Sequence, residues 1–161
     1  MKLMQFKKTL IVPLIIIFAC IAVIPVYSET GALVQKGTVY VPAYSSIYHS
    51  DLKWEYNLSI TLSIHNVDLE NTIVITAIDY YNTSGKLIHK YIKDKNLKIK
   101  PFETYNLGIK ETDTRGGVGA NFIVKWYSTS KVNRPVIETI MIGTSGQQGV
   151  SFTSRGVPVK E

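Results

Sequence analysis

The clearest pattern of hydrophobic and polar positions runs over residues 54–65. Every even position from 54 to 64 is apolar or aromatic there, and every odd position is polar. Successive side chains of a β-strand point to opposite faces, so alternation of this kind indicates a half-buried strand. The pattern predicts one long strand with one face in a core and the other in water.

The chain after residue 28 repeats this rhythm in shorter runs and shows no sustained helical periodicity. Residues 72–81 are rich in β-branched and aromatic side chains and predict the next strand, and the turn residues 82–85 predict a tight hairpin into a strand at 86–92. Further strands are predicted at residues 38–41, 104–110, 120–127, 136–144 and 150–153. The predicted fold class is all-β, a single antiparallel β-sandwich of immunoglobulin or fibronectin type.

A basic flank and an apolar run precede this domain. Lys2, Lys7 and Lys8 are followed by residues 10–27, which carry no charge. As a helix this run covers roughly 27 Å, close to the hydrocarbon thickness of a bilayer. Residues 1–28 are therefore predicted to be a signal peptide cleaved after Ser28 or a retained signal anchor, with one N-terminal hydrophobic helix. Either outcome places the domain outside the cytoplasm, secreted or periplasmic in the first case and membrane-anchored through residues 10–27 in the second.

The single cysteine, Cys20, offers a third interpretation of the N-terminus. Residues 17–20 loosely resemble a bacterial lipobox, but Phe18 is bulky and apolar residues follow Cys20 where a polar tether is expected. These features favour an apolar thiol in a membrane helix over lipidation. The rest of the chain has no cysteine, so the stability of the domain must come from its core.

The predicted organisation is a linker at residues 29–36, the β-sandwich domain at 37–156 and a tail at 157–161. The formal net charge is +6, of which three charges belong to the N-terminal lysines. The excess left for the domain is too small and scattered to indicate a nucleic-acid partner. A basic stretch at residues 86–100 indicates a solvated edge, or alternatively a weak attraction to anionic lipid or wall polymer.

The motifs of known enzyme chemistry fail on their letters or on their context. Gly117 and Gly119 begin like a dinucleotide fingerprint, but Phe122 stands where the third glycine belongs and a strand follows. Residues 143–149 lack the ending of a P-loop, and no serine lies in a nucleophile elbow. Residues 49–51 are interpreted as a turn, and no cofactor or metal is predicted. The alternative is a hydrolase or metal-dependent enzyme whose site assembles from distant residues such as His49, His89 and Asp113.

A binding surface follows from the order of the predicted strands. If each connection reverses the chain direction, the loops at residues 82–85, 111–119 and 145–149 share one end of the sandwich. That end would present the predicted binding residues Asn82, Asp113, Arg115, Gly116, Gly117, Gln147 and Gln148. Arg155 should lie at the opposite end. The alternative is structural, with glycines serving hairpins and Asp113 serving an Asx-turn or a pair with Arg115.

Several segments carry a family resemblance, namely residues 38–48, 62–66, 79–81, 113–126 and 141–156. They resemble a bacterial family labelled domain of unknown function 3124, over residues 37–156. The resemblance implies a bacterial envelope or secreted protein without an assigned activity. A fainter similarity, in the pattern at Asn66, is to the β-sandwich of late-embryogenesis, water-stress proteins.

Together these observations favour a non-catalytic binding or interaction module of the cell envelope. Its expected partner is an envelope protein or polymer, held at the end that the three loops share. Two alternatives stay open: the enzyme with a site assembled from distant residues, and a purely structural envelope component without a dedicated ligand.

Overall fold

The structure of the protein, a computed structural model, describes residues 32–51, 53–144 and 149–160. These residues belong to one compact unit, Gly31–Glu161. In chain order the strands among them are β1 (Val34–Pro42), β2 (Ser46–His49), β3 (Trp54–Asn57), β4 (Ser59–His65), β5 (Ile73–Tyr81), β6 (Leu87–Lys90), β7 (Leu97–Ile99), β8 (Thr104–Ile109), β9 (Asn121–Val132), β10 (Val136–Gly143), β11 (Val150–Arg155) and β12 (Val157–Val159).

The strands form two antiparallel sheets and one separate hairpin. The first sheet has the order β12-β1-β9-β5-β6, with β7 also paired to β5, and the second has the order β11-β10-β4-β8. Strands β2 and β3 pair only with each other. The two sheets pack face to face, which confirms an all-β fold of packed antiparallel sheets.

The core lies between the two sheets and is built by alternate residues of the long strands. Ile60, Leu62 and Ile64 of β4 face inward, and Tyr80 of β5 and Phe122 of β9 meet them from the first sheet. Burying a side chain of this size stabilises the fold by roughly 1.5 to 3 kcal/mol before the entropy of ordering is counted. The alternation of apolar and polar residues in the sequence therefore identifies correctly which side chains of β4 face the core.

The prediction of one unbroken strand over residues 54–65 is wrong. The chain leaves the sheet at Leu58, whose N–H donates to the carbonyl of Ser45 at 2.9 Å, and β3 pairs with β2 instead. Trp54, which the alternation placed in the core, is 65% exposed. The alternation continues across the break because the β2–β3 hairpin has its own apolar face, so the sequence pattern alone does not show where one sheet ends.

Strands also occur in segments where none was predicted. β7 lies in the basic stretch, and β12 lies in the segment predicted as a tail, where it pairs with β1 through Val39 and Pro158. β1 begins at Val34, within the segment predicted as a linker. These unpredicted strands and strand ends are short or lie at the edge of a sheet, where the alternation of apolar and polar side chains is weakest.

The corner between β4 and β5 is held by the side chains of Asn66 and Asp68. The Asn66 amide donates to the carbonyls of Asn71 at 2.8 Å and Ile99 at 3.0 Å, and its oxygen accepts from the Asp68 N–H at 3.1 Å. The Asp68 carboxylate accepts from the N–H groups of Asn71 and Asn133, each at 2.9 Å. This corner therefore joins three separate parts of the chain at one end of the domain: the loop itself, the end of β7 and the residue that follows β9.

These hydrogen bonds predict an acid-sensitive contribution to stability. They hold the pKa of Asp68 at about 2, below its ordinary 3.8, with the Asn133 N–H as the largest cause and the Asn71 N–H next. Because the folded-state pKa is the lower one, the contribution is complete above about pH 4 and is lost as the pH falls towards 2. We expect Asp68→Asn to be less stable at neutral pH and to lose less further stability between pH 4 and pH 2.

Urea unfolding at a series of pH values measures this difference. Asp51→Asn, at the exposed turn of the β2–β3 hairpin, is the matched control and should keep the pH dependence of the original chain. An unchanged slope between pH 4 and pH 2 in Asp68→Asn would contradict the assignment.

Candidate binding surface

Two of the three predicted loops lie side by side at one end of the sheets, which we call the loop end. Asn121, the first residue of β9, pairs with Pro42 at the end of β1 and with Tyr81 at the end of β5. The loop after β5, the loop before β9 and the segment after β1 therefore meet there. For the third loop the structure describes the base, where Gly143 pairs with Val150. Gln147 and Gln148 lie outside the described residues.

Hydrogen bonds between separate loops hold the loop end together. Ser45 Oγ accepts from the Gly117 N–H at 2.7 Å, and the Ser45 N–H donates to the Gly117 carbonyl at 3.1 Å. Thr83 Oγ1 donates to the Gly116 carbonyl at 3.1 Å and accepts from the Gly119 N–H at 2.9 Å. The predicted residues Gly116 and Gly117 thus contribute backbone groups to a framework. The sequence analysis missed Ser45 and Thr83, which complete it.

The side chain of Asn82 stabilises the turn between β5 and β6. Its side-chain oxygen accepts from the N–H groups of Ser84 at 3.1 Å and Lys86 at 2.9 Å, and Gly85 takes a positive φ of 73° within the turn. Asn at this position favours such a turn because a short polar side chain replaces a backbone partner. The structure therefore gives Asn82 a supporting role at the loop end.

Asp113 and Arg115 form an exposed bidentate ion pair. Arg115 Nε donates to Asp113 Oδ1 at 2.8 Å, and Arg115 Nη2 donates to Asp113 Oδ2 at 2.7 Å. The pairing lowers the pKa of Asp113 and raises that of Arg115. The Arg115 side chain is 63% exposed, so solvent screening keeps the gain in stability small. The ion pair instead fixes the orientation of the Arg115 guanidinium at the surface. This guanidinium lies beside an open depression that Tyr91 and Lys110 also line.

Tyr80 lies beneath the loop end with its hydroxyl buried. Among the described residues no partner forms a well-directed hydrogen bond with this hydroxyl. Burial raises the pKa of Tyr80 to about 12, against a smaller lowering by the Ser45 hydroxyl. The ring contacts Phe122, with the centroids 4.9 Å apart, and a Cβ added at Gly116 would meet the hydroxyl. Gly116 is therefore required for the close approach of its loop to Tyr80.

The β2–β3 hairpin projects from the loop end and carries exposed aromatic residues. It is rooted where Ser45 and Leu58 hydrogen-bond to each other. Near its base Tyr56 packs against Gly143, whereas Trp54 and Tyr48 are 65% and 49% exposed. Tryptophan and tyrosine are the residue types most enriched where protein partners bind tightly. The alternating pattern concealed this feature, since it assigned Trp54 to the core.

The residues considered for catalysis lie on different elements. His49 is on β2 with its ring against Tyr56, His89 is on β6 with its ring against Tyr91, and Asp113 pairs with Arg115. Within residues 32–51, 53–144 and 149–160 there is no group of three or more His, Cys, Asp or Glu side chains arranged to hold a metal ion.

The predicted N-terminal features lie outside the described part of the chain. This applies to the apolar run at residues 10–27 and to Cys20. No helix among the described residues is long and apolar enough to cross a membrane.

Packed antiparallel sheets with a hydrogen-bonded loop end define an all-β domain of the kind that presents loops from a rigid scaffold. The chain matches the family model described as "Protein of unknown function (DUF3124)" over residues 36–159 and belongs to that family, which confirms the resemblance in its sequence. No curated protein matches the chain. It is similar to a solved structure, "Crystal Structure of Thermotoga maritima 1070", with 13% identity and a TM-score of 0.42 over 75% of this chain and 92% of that one.

Proposed function

We propose that the protein is a non-catalytic binding module of the bacterial cell envelope. In this proposal it is exported and anchored or secreted, its fold is a β-sandwich of immunoglobulin or fibronectin type, and the loop end with the β2–β3 hairpin holds an envelope protein or polymer. The observation that carries the proposal is the exposed Trp54 on a hairpin rooted in the hydrogen-bonded loops.

The exposure of Trp54 favours a partner that covers it. An indole ring in water keeps a large apolar area hydrated, and burying that area against another surface is favourable by roughly 25 cal/mol per Å². Tyr48 adds a second aromatic surface on the same hairpin, with a hydroxyl that can still hydrogen-bond. The Ser46 hydroxyl donates to the Glu55 carboxylate at 2.7 Å and so joins the two strands of the hairpin.

The loops next to the hairpin are ordered before any partner arrives. Ser45 and Thr83 tie the glycine loop to its neighbours, and Asp113 fixes the guanidinium of Arg115. Ordering a mobile loop or a long side chain during association weakens binding, so a surface that is already fixed binds more tightly. A planar guanidinium suits a carboxylate, a phosphate or a carbonyl-rich partner.

The position at which β1 begins is compatible with binding of a partner at the loop end. β1 begins at Val34, at the end of the first sheet opposite to the loops. The first described strand therefore begins away from the loop end.

Site-specific photocrosslinking in the full chain, expressed in a bacterial envelope, tests the proposal. A photoreactive phenylalanine at Tyr48 should give a discrete crosslinked product, whereas the same residue at Tyr127 should not. Tyr127 is the matched control because it is also an exposed tyrosine, at 40%, but lies on the outer face of the first sheet. Trp54→Ala combined with Arg115→Ala should reduce the Tyr48 product about tenfold or more, as expected for the loss of an aromatic and an arginine contact.

The same variants must remain folded for this result to count. Both side chains are exposed, so each substitution should change the free energy of unfolding by less than about 0.5 kcal/mol. Equal crosslinking from Tyr48 and Tyr127, or a Tyr48 product that persists in the double variant, would show that the loop end is not the binding surface.

A further inference from the structure

Strand β8 is an open edge of the second sheet. It pairs with β4 on one side, and no strand among the described residues pairs with it on the other. The Asn66 N–H donates to the Glu103 carbonyl at 3.0 Å, so the backbone of Glu103 faces β4. Because hydrogen-bonded and non-hydrogen-bonded residues alternate along an antiparallel strand, the N–H and C=O groups of Thr104, Asn106 and Gly108 face away from β4. All three residues are exposed, so this edge offers free backbone donors and acceptors.

The edges that β6 and β7 give the first sheet carry charge, whereas β8 does not. Lys90 ends β6, and Lys98 is the middle residue of β7. At the opposite border of the second sheet, β11 continues through Gly156 into β12 and contacts β1 of the first sheet. β8 contains no charged residue and no proline, and its register with β4 has no bulge. Lysines, prolines and bulges are the usual means of blocking an edge, so β8 is left available for pairing.

Phe102, in the turn before β8, combines a strained backbone with an exposed ring. Its φ is 59°, a value that bulky residues rarely adopt, and the residue is 70% exposed. The turn holds it there, because the Phe102 N–H donates to the Asn66 carbonyl at 3.1 Å and the Lys100 N–H donates to the Glu103 carboxylate at 2.7 Å. Glycine would adopt this φ without strain and would expose no apolar surface, so folding of the domain alone does not account for a phenylalanine here.

The depression beside Arg115 lies at the other end of β8. It is lined by Gly108, Ile109 and Lys110, where β8 ends, and by Tyr91, which follows β6. The lining therefore connects the β6 edge of the first sheet with the end of β8, on the side of the domain where β8 is open. Its volume of about 450 Å³ leaves room for a phenylalanine ring. An exposed aromatic residue thus precedes β8, and a depression that can receive one lies at its end.

We propose that β8 pairs with β8 of a second copy of the chain. In an antiparallel pair around a two-fold axis, the start of each strand lies beside the end of the other. With Asn106 opposite Asn106 of the second copy, Thr104 lies opposite Gly108 and Phe102 opposite Lys110, so each Phe102 reaches the depression of the other copy. The outward-facing backbone groups then form about six hydrogen bonds. The two four-stranded sheets become one continuous sheet across the pair.

The two ends of β8 favour a second copy over a strand of another protein. An exposed ring at one end and a depression at the other end of the same strand complement each other twice in a two-fold pair, which is the property of a self-complementary interface. The pairing does not depend on the role proposed for the loop end, and its test measures only the association of the chain with itself.

Crosslinking through one introduced cysteine tests the pairing. The full chain in nonionic detergent carries Cys20→Ser, which removes its only other thiol, and Asn106→Cys is treated with a short bismaleimide. The two thiols lie opposite each other at the two-fold axis, with Cα atoms about 5.5 Å apart, so a covalent dimer should form. Thr153→Cys is the matched control, because Thr153 is also exposed on the second sheet but lies on β11 at its other edge. Asn106→Cys should give at least about tenfold more covalent dimer, as expected for thiols held at a high effective concentration.

Phe102→Gly separates a role in association from a role in folding. It removes the ring and relieves the strain of the positive φ, so the yield of the Asn106→Cys crosslink should fall about tenfold while the urea midpoint of the chain does not fall. Val157→Ala, which removes an exposed apolar side chain from β12, should leave the yield within about twofold. Equal yields from Asn106→Cys and Thr153→Cys, or an unchanged yield in Phe102→Gly, would overturn the proposal. Absence of any crosslink from Asn106→Cys would also overturn it and would leave the edge to a strand of a different protein.

Discussion

Gly116→Ala should lower the free energy of unfolding by about 3 kcal/mol, near the upper end of what overpacking a core costs. A Cβ at this position would meet the Tyr80 hydroxyl, would lie 2.7 Å from the Cβ of Ala120 and would lie 3.0 Å from Ser45 Oγ. Neither Tyr80 nor Ala120 can withdraw, because both are buried in the core. Chemical denaturation followed by far-UV circular dichroism measures the loss.

A second substitution separates the clash with Tyr80 from the other contacts. Tyr80→Phe alone should be neutral or stabilising, because it removes a buried hydroxyl that lacks a well-directed hydrogen bond. In the Gly116→Ala background it should recover part of the loss, since it removes one of the clashing atoms while Ala120 remains. Gly85→Ala, in an open turn with nothing near its added Cβ, is the control for glycine replacement and isolates the cost of its positive φ. Strictly additive effects of the two substitutions would contradict the proposed contact.

Asn66→Ala should lower the free energy of unfolding by about 3 kcal/mol for a different reason. The substitution removes the partner of three backbone groups: the buried carbonyl of Ile99, the buried N–H of Asp68 and the partly buried carbonyl of Asn71. Each buried polar group that loses its partner costs about 1 kcal/mol or more. Urea unfolding of the full chain measures the change.

The control for this substitution is Asn57→Ala, which removes the same side chain at an exposed position at the end of β3. It should change stability by less than about 0.5 kcal/mol. Asn66→Asp should be nearly as unstable as Asn66→Ala, because a carboxylate cannot donate to the two carbonyls and lies near the Asp68 charge. Similar stabilities of Asn66→Ala and Asn57→Ala would show that the corner does not depend on the Asn66 amide.

The fold could be predicted from the sequence where the information is local. Alternation over β4 identifies its buried face, and the Asn82 and Gly85 turn identifies the hairpin that follows β5, because period and turn chemistry depend on adjacent residues. The break at Leu58 is marked by a hydrogen bond to the carbonyl of Ser45, a residue that precedes it in the chain by a whole hairpin. No local pattern contains that information, so Trp54 was assigned to the wrong environment.

The candidate binding surface, like the fold, could be predicted only in part. Reversal of direction at each connection predicted that the loops at residues 82–85 and 111–119 meet, and the pair of Asp113 and Arg115 was recognisable because the two residues are close in sequence. The partners that join the loops were not recognisable, since Ser45 and Thr83 are ordinary hydroxyl residues whose hydrogen bonds are set by tertiary structure. The exposed aromatic hairpin was hidden by the same alternation that predicted β4.

The short strand β12 gives the first sheet a protected border. Only three residues cover β1 on that side, and the middle one, Pro158, lacks the N–H that a further strand would need. An open β-edge is a template on which other chains can add strands, and a short edge strand with a proline prevents this. β12 therefore makes this border of the first sheet a poor template for a further strand.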